Sequence, residues 1–248
     1  MADRAEQPFS IAGGGPFLAI ARRSRLRRPD GRVRTAWLVA IAWVPLVVAS
    51  AVRVIAGTAV DPLLFDVSVH TRLLVALPVL LVTEPVLDET CRSAFHQLHH
   101  HDMVHRDALT ALVDRAHRWR DTSAIEAVLA AAAVTFGQLV LWRVIGSTGL
   151  VHGGAHTIWS FARFWYCIVA LPLVLFLMVR WAWRWVLWAF VLVRLSRQRM
   201  ELIGTHPDNA AGLEPLSWPL TAFSGYLFAL SSILAGSWCT QLLARRVT

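Results

Sequence analysis

The sequence predicts an all-α fold, a polytopic transmembrane helical bundle of about five spans with a cytoplasmic helical hairpin. Three observations lead there. Of the 248 residues, 56% are hydrophobic and 16% charged. The mean hydropathy is +0.52. The apolar residues are gathered into long runs separated by arginine-rich stretches. A water-soluble fold could not hide that much apolar surface, whereas a chain whose solvent is partly lipid need not.

Residues 1–34 form a basic N-terminal segment. MADRAEQPFSIAGGGPF precedes the arginines, so the order of a cleaved secretory signal is missing and the first apolar run is expected to stay in the protein. The glycines at 13–15 lack the preceding strand and following Lys-Ser or Lys-Thr of a phosphate loop, and read as a flexible joint. PFLAIARRSRLRR has the pattern of a basic amphipathic segment suited to an anionic leaflet.

The membrane domain is expected over 35–248. Its first run covers 36–52 and continues past Arg53; at ~1.5 Å per residue it can cross ~30 Å of hydrocarbon. Pro45 is expected to kink it, and Arg53 to snorkel. The second run, 73–87, contains Pro78, Glu84 and Pro85. A full span is preferred over a re-entrant segment because the pattern continues as an amphipathic helix with Leu87, Cys91, Ala94, Phe95 and Leu98 on one side. DALTALVDRAHRW repeats that spacing, which predicts a hairpin over 88–122. In the third run, 124–142, the alanines and Gly137 permit close helix approach. The fourth begins near 164 and meets no Gly or Pro from 180 to 200, which predicts one very long helix, with Trp181, Trp185 and Trp188 as an interfacial aromatic belt. A cytoplasmic loop at 198–217 precedes the fifth run, 219–243, where Ser232 and Gly236 stand in a small-xxx-small relation. No internal repeat of useful length is visible, so an inverted-repeat transporter is not supported.

The net charge of +8 comes from 24 arginines without a lysine. Most flank apolar runs, which points to membrane orientation rather than to nucleic acid. Eighteen fall on the N-terminal side of the five-span topology and six on the other. The N-terminus, hairpin and 198–217 loop are therefore expected on the cytoplasmic side. Cys91, Cys167 and Cys239 show no CxxC spacing, and buried, inert thiols are expected in the apolar runs.

Candidate chemistry is sparse. HQLHHHDMVH, 96–105, sets His96, His99 and His100 in an HxxHH pattern of the kind that supplies imidazoles to di-iron centres in membrane oxygenases; His101 and His105 would share a face if the helix continued. Iron or zinc would be the cofactor of such an enzyme. Against it, no second HxxHH box exists, and HGGAH at 152–156 falls on the opposite side of the membrane. A solvated histidine-rich bend without cofactor is the preferred reading, and a pH-responsive hairpin stands between the two. In THPDNAAGLEPL, 205–216, Asp208 fits a turn and the cap of a short helix through NAAGL; His206 and Asp208 are also candidates for a cation or proton. Glu84, Asp88, Glu89, Asp121 and Glu126 gather near Arg92, Arg118 and Arg120, where ion pairs at headgroup level would satisfy them. Glu84 lies deepest and is the best candidate for an ion site. The expected class is a non-enzymatic bundle, an assembly or interaction component or a transport-type pore, forming a homo-oligomer or joining a membrane-protein partner. The pore version places Glu84, Gln138 or the serines of the fifth run against water. The rival is the histidine-ligated metalloenzyme.

FSIAGGGPF, DPLLFDVSVHTRLLVALPVLLVTEPVLD, AHRWRDT and THPDNAAGL together resemble a family of bacterial multi-pass inner-membrane proteins with an HPDxAGGL-like cytoplasmic loop. The resemblance covers about half the chain. It implies a helical membrane bundle and brings no activity with it. The usual glycine pair of the loop is Ala211-Gly212 here, and the histidine cluster is not part of the likeness.

Overall fold

The computed structural model describes residues 31–57, 63, 65–100, 123–147, 161–198 and 209–247. Among these the backbone is helical and contains no strand. Helix α1 is Gly31–Ile55 and runs through Pro45. Helix α2 starts at Val67 and continues to His100, α-helical over Val67–His70 and Leu77–His100 with a π-helical segment, Thr71–Ala76, between. Helix α3 is Ser123–Ser147. Helix α4 starts at Phe161, passes through a π segment, Tyr166–Ala170, and continues as Leu171–Leu195. A 3-10 turn, Glu214–Ser217, leads into α5, Pro219–Val247. Pro219 opens α5, where the missing N–H costs nothing because it would have no intrahelical partner.

Four stretches are long and apolar enough to cross a membrane: Val33–Ile55, Val67–Leu98, Phe161–Leu195 and Glu214–Leu243. A shorter apolar stretch, Ala127–Leu139, lies in α3. The second run is thus part of one continuous helix, and Asp88–His100, the first arm expected for the hairpin, is its direct extension. Residues 101–122, the rest of that hairpin, lie outside the described residues.

The two π segments share a cause legible in the sequence. Each is closed by the same tetrapeptide, Val75-Ala76-Leu77-Pro78 in α2 and Val169-Ala170-Leu171-Pro172 in α4. A proline lacks the N–H that would reach the carbonyl four residues back, and its ring crowds that carbonyl. The preceding turn widens to relieve the contact, and the N–H of Leu77 reaches back to the carbonyl of Arg72, that of Leu171 to the carbonyl of Tyr166.

The contacts divide the chain into two units. One comprises Arg28–Val82, Ala127–Arg180 and Tyr226–Thr248. In it α1 packs on the first turn of α4 and on both π segments. The Trp165 indole donates to the Ile41 carbonyl (3.2 Å), and the Trp43 indole to Nδ1 of His70 (3.2 Å). Gly137 of α3 faces Pro172 and Leu175 of α4. Gly236 of α5 lies so close to Thr71 that no side chain fits between them. These glycines are the close approaches that the small-residue patterns predict. The other unit comprises Met1–Arg27, Thr83–Glu126 and Trp181–Gly225. Its core holds Leu87, Cys91, Ala94, Phe95 and Leu98, the apolar side expected of the amphipathic extension. Against these, Phe95 meets Trp188 edge to face (6.1 Å), and Trp181 meets Phe223 likewise (6.1 Å).

The tryptophans therefore need correcting. Trp181 and Trp188 are 1% exposed and belong to the core; only Trp185 faces outward. Positions seven apart on a helix share one face, and here that face meets protein instead of headgroups. Arg180 and Arg184, counted as arginines flanking a membrane run, are also buried within α4. Of the thiols, Cys91 is the buried one, Cys167 is half-buried and Cys239 is exposed. NAAGL is not a short helix: Asn209, Ala211 and Gly212 all have positive φ (53°, 55° and 89°), and the Leu213 N–H closes a turn on the Ala210 carbonyl (3.0 Å).

Candidate functional site

In the unit that contains both π segments, polar side chains from α2, α4 and α5 converge. Asp66 caps α2, its Oδ1 accepting from the Ser68 N–H (2.9 Å). The Thr240 hydroxyl stands 2.8 Å from the same oxygen and 3.1 Å from the Gly236 carbonyl, and accepts from the Ser68 N–H at 3.1 Å. One turn further along α2, Arg72 donates through Nη1 to the Tyr166 hydroxyl (2.7 Å) and through Nη2 to Ser237 Oγ (3.3 Å). The absence of a side chain at Gly236 lets α5 approach closely enough for Ser237 to be reached. Arg72 and Tyr166 each stand six residues before the proline of their VALP segment, so the two widened turns present equivalent positions to each other.

The partners of Arg72 are neutral hydroxyls. A guanidinium inside an apolar helix normally pairs with a carboxylate or reaches headgroup phosphate, because its charge is costly to strip of water. Among the described residues no carboxylate forms an ion pair with it; Asp66 takes its donors from Ser68 and Thr240.

The second polar centre is Glu84 with Arg184, in the other unit. Arg184 Nη2 donates to Glu84 Oε1 at 2.6 Å, with side chains 4% and 8% exposed. The guanidinium also lies 5.4 Å from the Trp181 ring centroid, a cation–π contact. Glu84 is thus held by an arginine a hundred positions away, while Arg118 and Arg120, expected near it, lie outside the described residues. Arg92 instead stands 3.9 Å from Glu89 on its own helix.

Of the other candidates, Gln138 is half-buried beside Gly137. The serines of the fifth run, Ser224, Ser231, Ser232 and Ser237, donate to carbonyls one turn back on their own helix. His96 is exposed on α2, and the helix backbone continues through His99 and His100. His101, His105, His206 and Asp208 lie outside the described residues. Among the described residues no three His, Cys, Asp or Glu side chains gather as a metal site.

Sequence reasoning missed the Arg72 centre. One signal was available: an arginine directly ahead of LLVALPVLLV, inside a span. Tyr166 and Ser237 carried no signal, since only the helix packing brings them to Arg72. No family model, curated protein or solved structure matches the chain.

Proposed function

We propose that the chain is an inner-membrane helical bundle with its N-terminus in the cytoplasm, acting as a non-enzymatic assembly or interaction component whose partners are the bilayer and a membrane protein or further copies of itself. The observation that carries this reading is the buried Glu84–Arg184 pair. A carboxylate meant to bind passing ions must exchange its partner for them. Here it is neutralised at 2.6 Å by a guanidinium that is itself stacked near Trp181. Separating such a pair inside a packed core costs several kcal/mol. The self-satisfied serines of α5 add to the argument against a conducting path. With α3 counted as a fifth crossing, the orientation is supported by the arginine asymmetry, which stays at sixteen to six without the buried Arg180 and Arg184.

Reconstitution in proteoliposomes tests the reading. Proton and potassium flux is expected to equal that of protein-free vesicles and to be unaltered by Glu84→Ala, while native mass spectrometry from the same membranes shows a defined oligomer or stoichiometric complex. Flux that disappears with Glu84→Ala would replace this function with a pore.

A further inference from the structure

The Arg72 centre has more donors than acceptors. A guanidinium offers several N–H groups in one plane. Two of its nitrogens each bond one hydroxyl oxygen, and the remaining N–H groups have no acceptor among the described residues. The Tyr166 oxygen accepts from Arg72, which leaves the phenolic hydrogen itself without a described acceptor in a residue only 7% exposed. Ser237 donates back to the Ile233 carbonyl, so it orients the guanidinium and adds no donor. Arg72 itself is half-buried, which leaves part of it open to a ligand.

We propose that Arg72 and Tyr166, with Ser237 as positioning residue, form a binding site for a phosphate oxyanion. The planar N–H fork matches two oxygens of a phosphoryl group, and the phenol supplies a third, non-coplanar donor. Charge selects among phosphates. Asp66 caps the same helix less than two turns before Arg72, so a singly charged phosphodiester is repelled less than a dianionic monoester. Membrane phospholipids carry the phosphodiester; free inorganic phosphate presents the same oxygens in solution.

The full-length protein, stripped of lipid in detergent, tests this by native mass spectrometry with three probes: a short-chain phosphatidylglycerol, the matching diacylglycerol without phosphate, and inorganic phosphate as competitor. Phosphatidylglycerol is expected to bind at least tenfold more tightly than diacylglycerol. Arg72→Gln should weaken it by about ten- to a hundredfold, as expected for losing charge-assisted bonds. Tyr166→Phe keeps the ring in the core and should weaken it severalfold; Arg72→Lys should retain part of it, which a purely structural arginine would not show. Competition by millimolar inorganic phosphate assigns the site to soluble phosphate, and its failure assigns it to lipid. Equal binding of diacylglycerol and phosphatidylglycerol, or phosphatidylglycerol binding unchanged in folded Tyr166→Phe and Arg72→Lys proteins, overturns the proposal.

Discussion

Ala211 adopts a φ of 55° and Gly212 one of 89°, the signature of a turn in which both central residues are left-handed. Glycine holds that conformation freely, and alanine loses roughly 1 kcal/mol or more to contact between its Cβ and the backbone. Ala211→Gly is therefore expected to raise stability by about 1 kcal/mol, seen as a higher midpoint of thermal unfolding in detergent. The Glu84–Arg184 pair behaves differently. Removing one partner takes a close counter-ion from a buried charge, so Glu84→Leu or Arg184→Met alone should cost about 3–5 kcal/mol, and the double variant should recover most of it. A double-mutant cycle measures the difference. Glu84 was recognisable from its depth in an apolar run, but its partner was not, because no local pattern announces a contact across a hundred residues. The histidine stretch was equally conspicuous. Elemental analysis is expected to find less than one zinc or iron per chain, unaltered by replacing His96, His99 and His100.

Helices reveal how far each pattern could be read. The apolar side of the α2 extension was fully legible, since Leu87, Cys91, Ala94, Phe95 and Leu98 repeat at the helical period and are all buried. The same period misled at Trp181 and Trp188, because periodicity defines a face without saying whether lipid headgroups or another helix meets it. Glycines give a sharper case. At Gly137 an added Cβ would sit 3.5 Å from Pro172 and 3.7 Å from Leu175, ordinary contact distances. Gly137→Ala should then gain the helix-propensity difference, about 0.5–1 kcal/mol. At Gly236 the same methyl would overlap Oγ1, Cβ and Cγ2 of Thr71. Overpacking of that kind costs about 1–3 kcal/mol and outweighs the propensity gain. Gly236→Ala should lower the unfolding midpoint where Gly137→Ala raises it, and Thr71→Ala should partly rescue the former.

For the whole molecule, composition alone led to a membrane-embedded all-helical chain, since 56% hydrophobic residues in long runs leave few other solvents for them. The fold class and the four long apolar helices follow from run lengths. Which polar residues meet did not, because a span's sequence specifies its length and its greasy side far better than its rotation. The paired VALP segments bear on that rotation. A widened turn accommodates about one residue more than an ordinary α turn, so α2 and α4 each carry slack in the chain. Deleting Leu74 should draw α2 taut over 71–76 and leave Leu77 onward facing as before, whereas deleting Leu80 would swing everything beyond it by about 100°. The first variant should accumulate in the membrane near the level of the parent, and the second should be degraded. Natural loss of a codon would be tolerated at these two places and hardly elsewhere along the spans.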